Sequence, residues 1–172
     1  KYDAPIWPSV KEGHPVCSHS NGTVFDHTRT FPEARRTQQG VNFDISYVNF
    51  NQQQIDAFEF AASIWSSILA SDVDIKINVT LINFPGFLGF AIPNGDINFP
   101  GTPMTDIIYP TSLANAIAGF DTKPMANDIE IYMSTIANWY FGLDANPAPN
   151  QTDFVTVAIH EIAHGLGFIE TV

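Results

Sequence analysis

From Gly40 onward the apolar positions fall into clear periods. Val41, Phe43, Ile45 and Tyr47 alternate with Asn42, Asp44 and Ser46, which predicts a half-buried strand. Asn51 then stands where a helix cap belongs. Ile55, Phe58, Ala62, Trp65 and Leu69 follow at spacings of three and four, so 52–70 predicts an amphipathic helix. Val73, Ile75, Ile77, Val79 and Leu81 alternate with Asp74, Lys76, Asn78 and Thr80 in the clearest strand pattern of the chain. Residues 84–110 are rich in proline and glycine and read as a long surface loop with room for one short strand. Ser112 to Gly119 predicts a short helix stopped by its glycine, and Asp128 to Met133 alternates again as a strand. After a turn-rich connection, 138–150, whose Trp139-Tyr140-Phe141 cluster should pack, Thr152 or Asp153 caps a helix running to about Gly165. This order predicts an α+β domain.

Residues 1–39 carry no sustained period, and Pro5, Pro8, Pro15 and Pro32 punctuate them. They read as an irregular N-terminal arm or propeptide-like segment ahead of a body at 40–172. Charge divides the chain at the same place. The arm holds five of the seven basic residues against four acids and nets +1, so the body carries −12 of the overall −11. Such acidity offers no footprint for phosphates and argues against nucleic acid and anionic membrane surfaces as partners. No apolar run reaches the ~18–20 residues of a membrane-spanning helix. The chain opens at Lys1 without a charged-then-apolar leader, so a leader, where one existed, is expected to have been removed or left out. Acidity and the acceptors Asn21-Gly-Thr, Asn78-Val-Thr and Asn150-Gln-Thr lean toward an extracellular protein.

One motif carries chemistry. His160-Glu161-Ile162-Ala163-His164 lies on the last predicted helix, which sets both imidazoles on one face a turn apart. Two such rings can hold one Zn²⁺ at about 2.0–2.1 Å each. Glu161 adjoins the first ligand without being one, and can act as general base on a zinc-activated water and then pass the proton to the leaving amine. The competing reading is a buried helix with two hydrogen-bonded histidines.

The run His160 to Phe168, HEIAHGLGF, resembles the active-site helix of zincin metallopeptidases. More narrowly, it is similar to secreted bacterial metallopeptidases, often associated with protease-associated domains, whose site reads HE-x-[AG]-HGLGF. Phe60-Ala61-Ala62-Ser63-Ile64-Trp65, the segment 99–103, the segment 113–119 and Trp139-Tyr140-Phe141-Gly142-Leu143-Asp144 look like further landmarks of that family, so the resemblance covers roughly 40–172. It implies a zincin-like upper subdomain: a twisted mixed sheet, a backing helix and an active-site helix beneath the sheet. It also implies a secreted zinc endopeptidase acting on protein or peptide substrates, which bind as an added strand along the sheet edge. Asp128–Met133 stands in the right place in the order for that edge, or is a plain internal strand.

Against the metzincin pattern HExxHxxGxxH, Gly167 is in place and the eleventh position is Glu170. A continuing helix would carry Glu170 about 9 Å past His164, so it can be the third ligand only if the chain turns at Gly165–Gly167. The alternative is a ligand further downstream. Met104, Met125 and Met133 all precede the motif, so none supplies the methionine turn of metzincins. A C-terminal part of the same precursor is therefore expected as a partner.

Cys17, the single cysteine, invites a latency role in which its thiolate occupies the open zinc position, beside the plainer readings of a free thiol or an intermolecular disulfide. His14, His19 and His27 are a lesser metal-site candidate, and Asp96, Asp106, Asp121 and Asp144 are candidates for structural Ca²⁺. Tyr109, Tyr132 and Tyr140 are candidate oxyanion stabilisers. The alternative function is a non-catalytic zincin-like domain used for adhesion or self-assembly, a reading favoured by the 14 phenylalanines.

Overall fold

The computed structural model describes residues 40–168. The arm with His14, Cys17, His19 and His27, and the last residues with Glu170, lie outside the described residues. Eight strands and three helices follow one another within 40–168: β1 (Phe43–Val48), α1 (Gln52–Ile68), β2 (Ile75–Ile82), β3 (Gly89–Pro93), β4 (Gly95–Ile97), β5 (Ile108–Pro110), α2 (Thr111–Ala118), β6 (Ile129–Ser134), β7 (Trp139–Tyr140), β8 (Thr152–Asp153) and α3 (Phe154–Gly165). The class is α+β, as the patterning predicts.

The main sheet is mixed, with strand order β1-β2-β6-β3. β1, β2 and β6 run parallel, and β3 runs antiparallel along β6. Register explains the two faces. Ile77 lies opposite Ile129, Val79 opposite Ile131 and Leu81 opposite Met133, all of them buried. The intervening Ser46, Asn78 and Glu130 form a polar row across the other face, Asn78 Nδ2 donating to Glu130 at 2.7 Å.

Helices α1 and α3 pack together on the apolar face. α1 starts at Asn51 in a full capping box: Asn51 accepts from the Gln54 amide, and the Gln54 side chain accepts from the Asn51 amide. It buries Ala57, Phe58, Ala61 and Ala62. α3 starts at Asp153, whose carboxylate accepts from the Thr156 amide at 3.2 Å. Eight of its twelve residues are buried, so it is a core helix with little free surface.

The segment Asp128–Met133, read as either an edge or an internal strand, becomes β6, internal between β2 and β3. The outer strand beside it is β3, which comes from the proline- and glycine-rich stretch read as a long loop with room for one short strand. That stretch contributes β4 and β5 as well, paired as a small hairpin.

Helix α2 is tied to the sheet through a buried polar cluster. Asp128 accepts from the Lys76 amide at 2.8 Å and from Asn115 Nδ2 at 3.0 Å. Asn115 Oδ1 accepts from both the amide and the hydroxyl of Thr122. Burial pushes the Asp128 carboxyl above its ordinary value, and these hydrogen bonds oppose the rise. Asn115→Ala strands the buried Asp128 carboxylate and two part-buried groups of Thr122, and is expected to cost about 2–3 kcal/mol in urea unfolding at neutral pH. Asn115 donates to the ionised form, so the deficit should shrink as pH falls through the Asp128 pKa. A deficit unchanged with pH would show that this bond does not favour the carboxylate.

Candidate metal centre

His160 and His164 occupy consecutive turns of α3 and converge. Their Nε2 atoms lie 2.7 Å apart, with the rings nearly perpendicular at 88°. Nitrogens around a tetrahedral zinc at about 2.0–2.1 Å stand about 3.3 Å apart, so the pair accepts an ion by opening about 0.6 Å. His160 opens to solvent on its outer side. Partial desolvation, and then the neighbouring His164 ring, hold its pKa below the ordinary value. That keeps the imidazole neutral, the form that binds a metal.

His164 is nearly buried, and its Nδ1 lies 2.8 Å from the carbonyl oxygen of Phe168. A carbonyl only accepts, so Nδ1 carries the proton and donates. The Nε2 lone pair is then left pointing at the shared site, the usual outer support of a ligating histidine.

The helix end makes this bond. The Gly167 amide donates to the His164 carbonyl and the Phe168 amide to the Ala163 carbonyl, each at 3.0 Å. Together they form a Schellman stop, with Gly167 left-handed at φ 101°. The chain therefore does turn at Gly167, which is the condition set for a ligand at position 170. A Cβ at Gly167 would also come within 2.5 Å of Pro110 Cγ on β5. At Gly165 a Cβ would overlap Ile129 Cγ2 on β6. The small residues of the motif are thus contact points with the sheet above.

Glu161 is fully buried on the side of α3 that meets the outer strand. A Cβ at Gly89 of β3 would stand 3.1 Å from Glu161 Cγ and 3.0 Å from Met133 Sδ. Gly89 therefore lets the strand lie directly over the carboxylate-bearing side chain. Sequence reasoning missed this contact. The local signal was Leu88 to Ile92, a short apolar run between Pro85-Gly86 and Pro93-Asn94.

The other candidates fall elsewhere. Tyr132 lies on the polar face of the sheet, stacked on Phe90 at 4.7 Å and away from α3. Tyr109 packs edge-on against Phe99, and the Tyr140 hydroxyl donates to Asp144. Asp121 pairs with Lys76 at 2.6 Å, Asp96 lies near Lys123 and Asp106 accepts from Asn98. Among the described residues no group of three or more His, Cys, Asp or Glu side chains gathers. None of the described helices is long and apolar enough to cross a membrane.

No curated protein and no solved structure matches the chain. A family model described as SPBPB7E8-like matches residues 17–171, a span that takes in the whole sheet and the histidine-bearing helix. The chain belongs to the SPBPB7E8-like family.

Proposed function

We propose that this chain is a secreted zinc-dependent endopeptidase with a zincin-like core. The observation that carries the reading is the convergence of His160 and His164 Nε2 atoms at 2.7 Å, with the His164 Nδ1 proton already committed to Phe168. His160 and His164 would hold the metal, and Glu170, beyond the turn at Gly167, is the proposed third ligand. A zinc ion bound there would polarise the scissile carbonyl and acidify the attacking water. Glu161 would serve as the general base that takes a proton from the attacking water and as the acid that returns it to the leaving amine. The buried setting of Glu161 under β3 keeps bulk water from competing for that proton. A mixed sheet with an antiparallel outer strand, backed by α1 and carried over α3, supports the zincin reading. β3, outermost in the sheet order, would offer its free edge to an extended peptide. Secretion is supported by the net charge of −11 and by Asn150, exposed in a turn with φ 73°.

A second reading has its own observation. Ile97, Ile108, Leu113, Ile117 and Phe120 are exposed on the β4–β5 hairpin, on α2 and just past its end, as an adhesive or self-assembling domain would require. Oligomeric state, metal content and casein cleavage measured on one sample discriminate between the two. The peptidase reading expects one zinc per chain, cleavage that stops on chelation and returns with zinc, and loss of both zinc and cleavage in His160→Ala. A polymer that holds no zinc and cleaves nothing would replace it with the second reading.

A further inference from the structure

Trp65 stands on α1 where that helix crosses α3, and it touches the candidate centre from two sides. Its indole Nε1–H donates to the carbonyl of Ile159, the residue before His160, at 3.0 Å. Its ring stacks on Phe168 with centroids 5.8 Å apart and planes 23° from parallel. The carbonyl of that same Phe168 receives the His164 Nδ1 proton at 2.8 Å. Phe168 is the last residue of the Schellman turn and is 61% exposed, with its ring laid against Trp65. One side chain of a neighbouring helix thus grips the residue ahead of the first imidazole and the residue whose carbonyl orients the second.

We propose that Trp65 is a positioning residue: by holding Phe168 in place it locks His164 as the Nδ1–H tautomer, with Nε2 kept as a metal-accepting lone pair. The proposal rests on reading the histidine pair as metal ligands, and it makes the two ligands unequal. His164 Nε2 is an acceptor, so in the metal-free protein His160 donates its own Nε2–H across the 2.7 Å gap. His164 is ready for a metal as it stands. His160 first moves its proton from Nε2 to Nδ1. Orienting partners of this kind change metal affinity by about 10–100-fold when removed.

The test uses the full chain as wild type, Trp65→Leu, Trp65→Phe and Phe168→Ala. The ¹⁵N shifts of His164 in the metal-free protein report the tautomer, and Co²⁺ titration followed by its visible absorption reports the site. Wild type should show His164 as Nδ1–H and His160 as Nε2–H. Trp65→Leu should lose the fixed His164 tautomer and bind Co²⁺ about 10–100-fold more weakly with an altered spectrum. Trp65→Phe keeps the stack and should restore most of both. Phe168→Ala removes the stack from its exposed partner, so it gives the same reading even if Trp65→Leu fails to fold. An unchanged tautomer and unchanged Co²⁺ affinity in a folded Trp65→Leu or Phe168→Ala protein overturn the role of Trp65. Wild type that takes up no Co²⁺ while His164 stays fixed as Nδ1–H overturns the metal reading instead.

Discussion

Glu161→Gln should lower the rate of peptide hydrolysis by about 10²–10⁴-fold, or about 2.7–5.4 kcal/mol of transition-state stabilisation, while zinc uptake stays at the wild-type level. Glutamine is the informative replacement because Glu161 is fully buried and its Cγ lies close under Gly89. Alanine would open a cavity beneath β3 and confuse loss of packing with loss of chemistry. The carboxamide keeps the shape and removes only the ability to take a proton. The measurements are turnover on a peptide substrate and zinc per chain on the same preparation. Wild-type turnover in the variant would remove Glu161 from the mechanism. Loss of zinc together with turnover would make it part of the metal site.

Gly165→Ala should destabilise the fold by about 3 kcal/mol, although alanine is the better helix former by about 1 kcal/mol. The clash decides the sign. The new methyl would overlap Ile129 Cγ2 in a sheet position with no exposure, so either α3 or β6 must shift. For a chain of this size that is a fall in Tm of about 6–12 °C. His164 precedes Gly165, so a shift of α3 also disturbs the bond from His164 Nδ1 to the Phe168 carbonyl and should weaken Co²⁺ binding. Ile129→Ala removes the obstructing methyl at its own cost, and the double variant should lose clearly less than the two single losses added. Simple additivity would mean that the two residues do not press on one another.

The two kinds of period in the sequence reach far into this fold. Alternation at Ile75, Ile77, Val79 and Leu81, the Asn51 cap and the Gly119 stop lie within a few residues of what they determine, so β2, α1 and α2 were legible. The five residues of β3 have little periodicity of their own and sit among prolines. They become a strand because β6 pairs with them, and that pairing spans some forty positions about which local pattern says nothing. For the same reason β6 could not be placed inside or outside the sheet from its own residues. At the candidate centre the spacing of His160 and His164 was legible, since four positions on a helix is a fixed geometry. The bond from His164 to Phe168 depends on the left-handed Gly167, and the Trp65 contacts join residues 94 positions apart or more. These belong to the tertiary structure alone.

Because α3 is enclosed by α1 and the sheet along most of its length, its amides are expected to exchange with solvent only when the whole domain opens. Protection in Ile162–Gly165 should then equal the global unfolding free energy, while amides of the short β4–β5 hairpin exchange through local fraying. The histidine pair would share the lifetime of the native state itself, so a metal held there would leave no faster by local breathing of its helix than the protein unfolds.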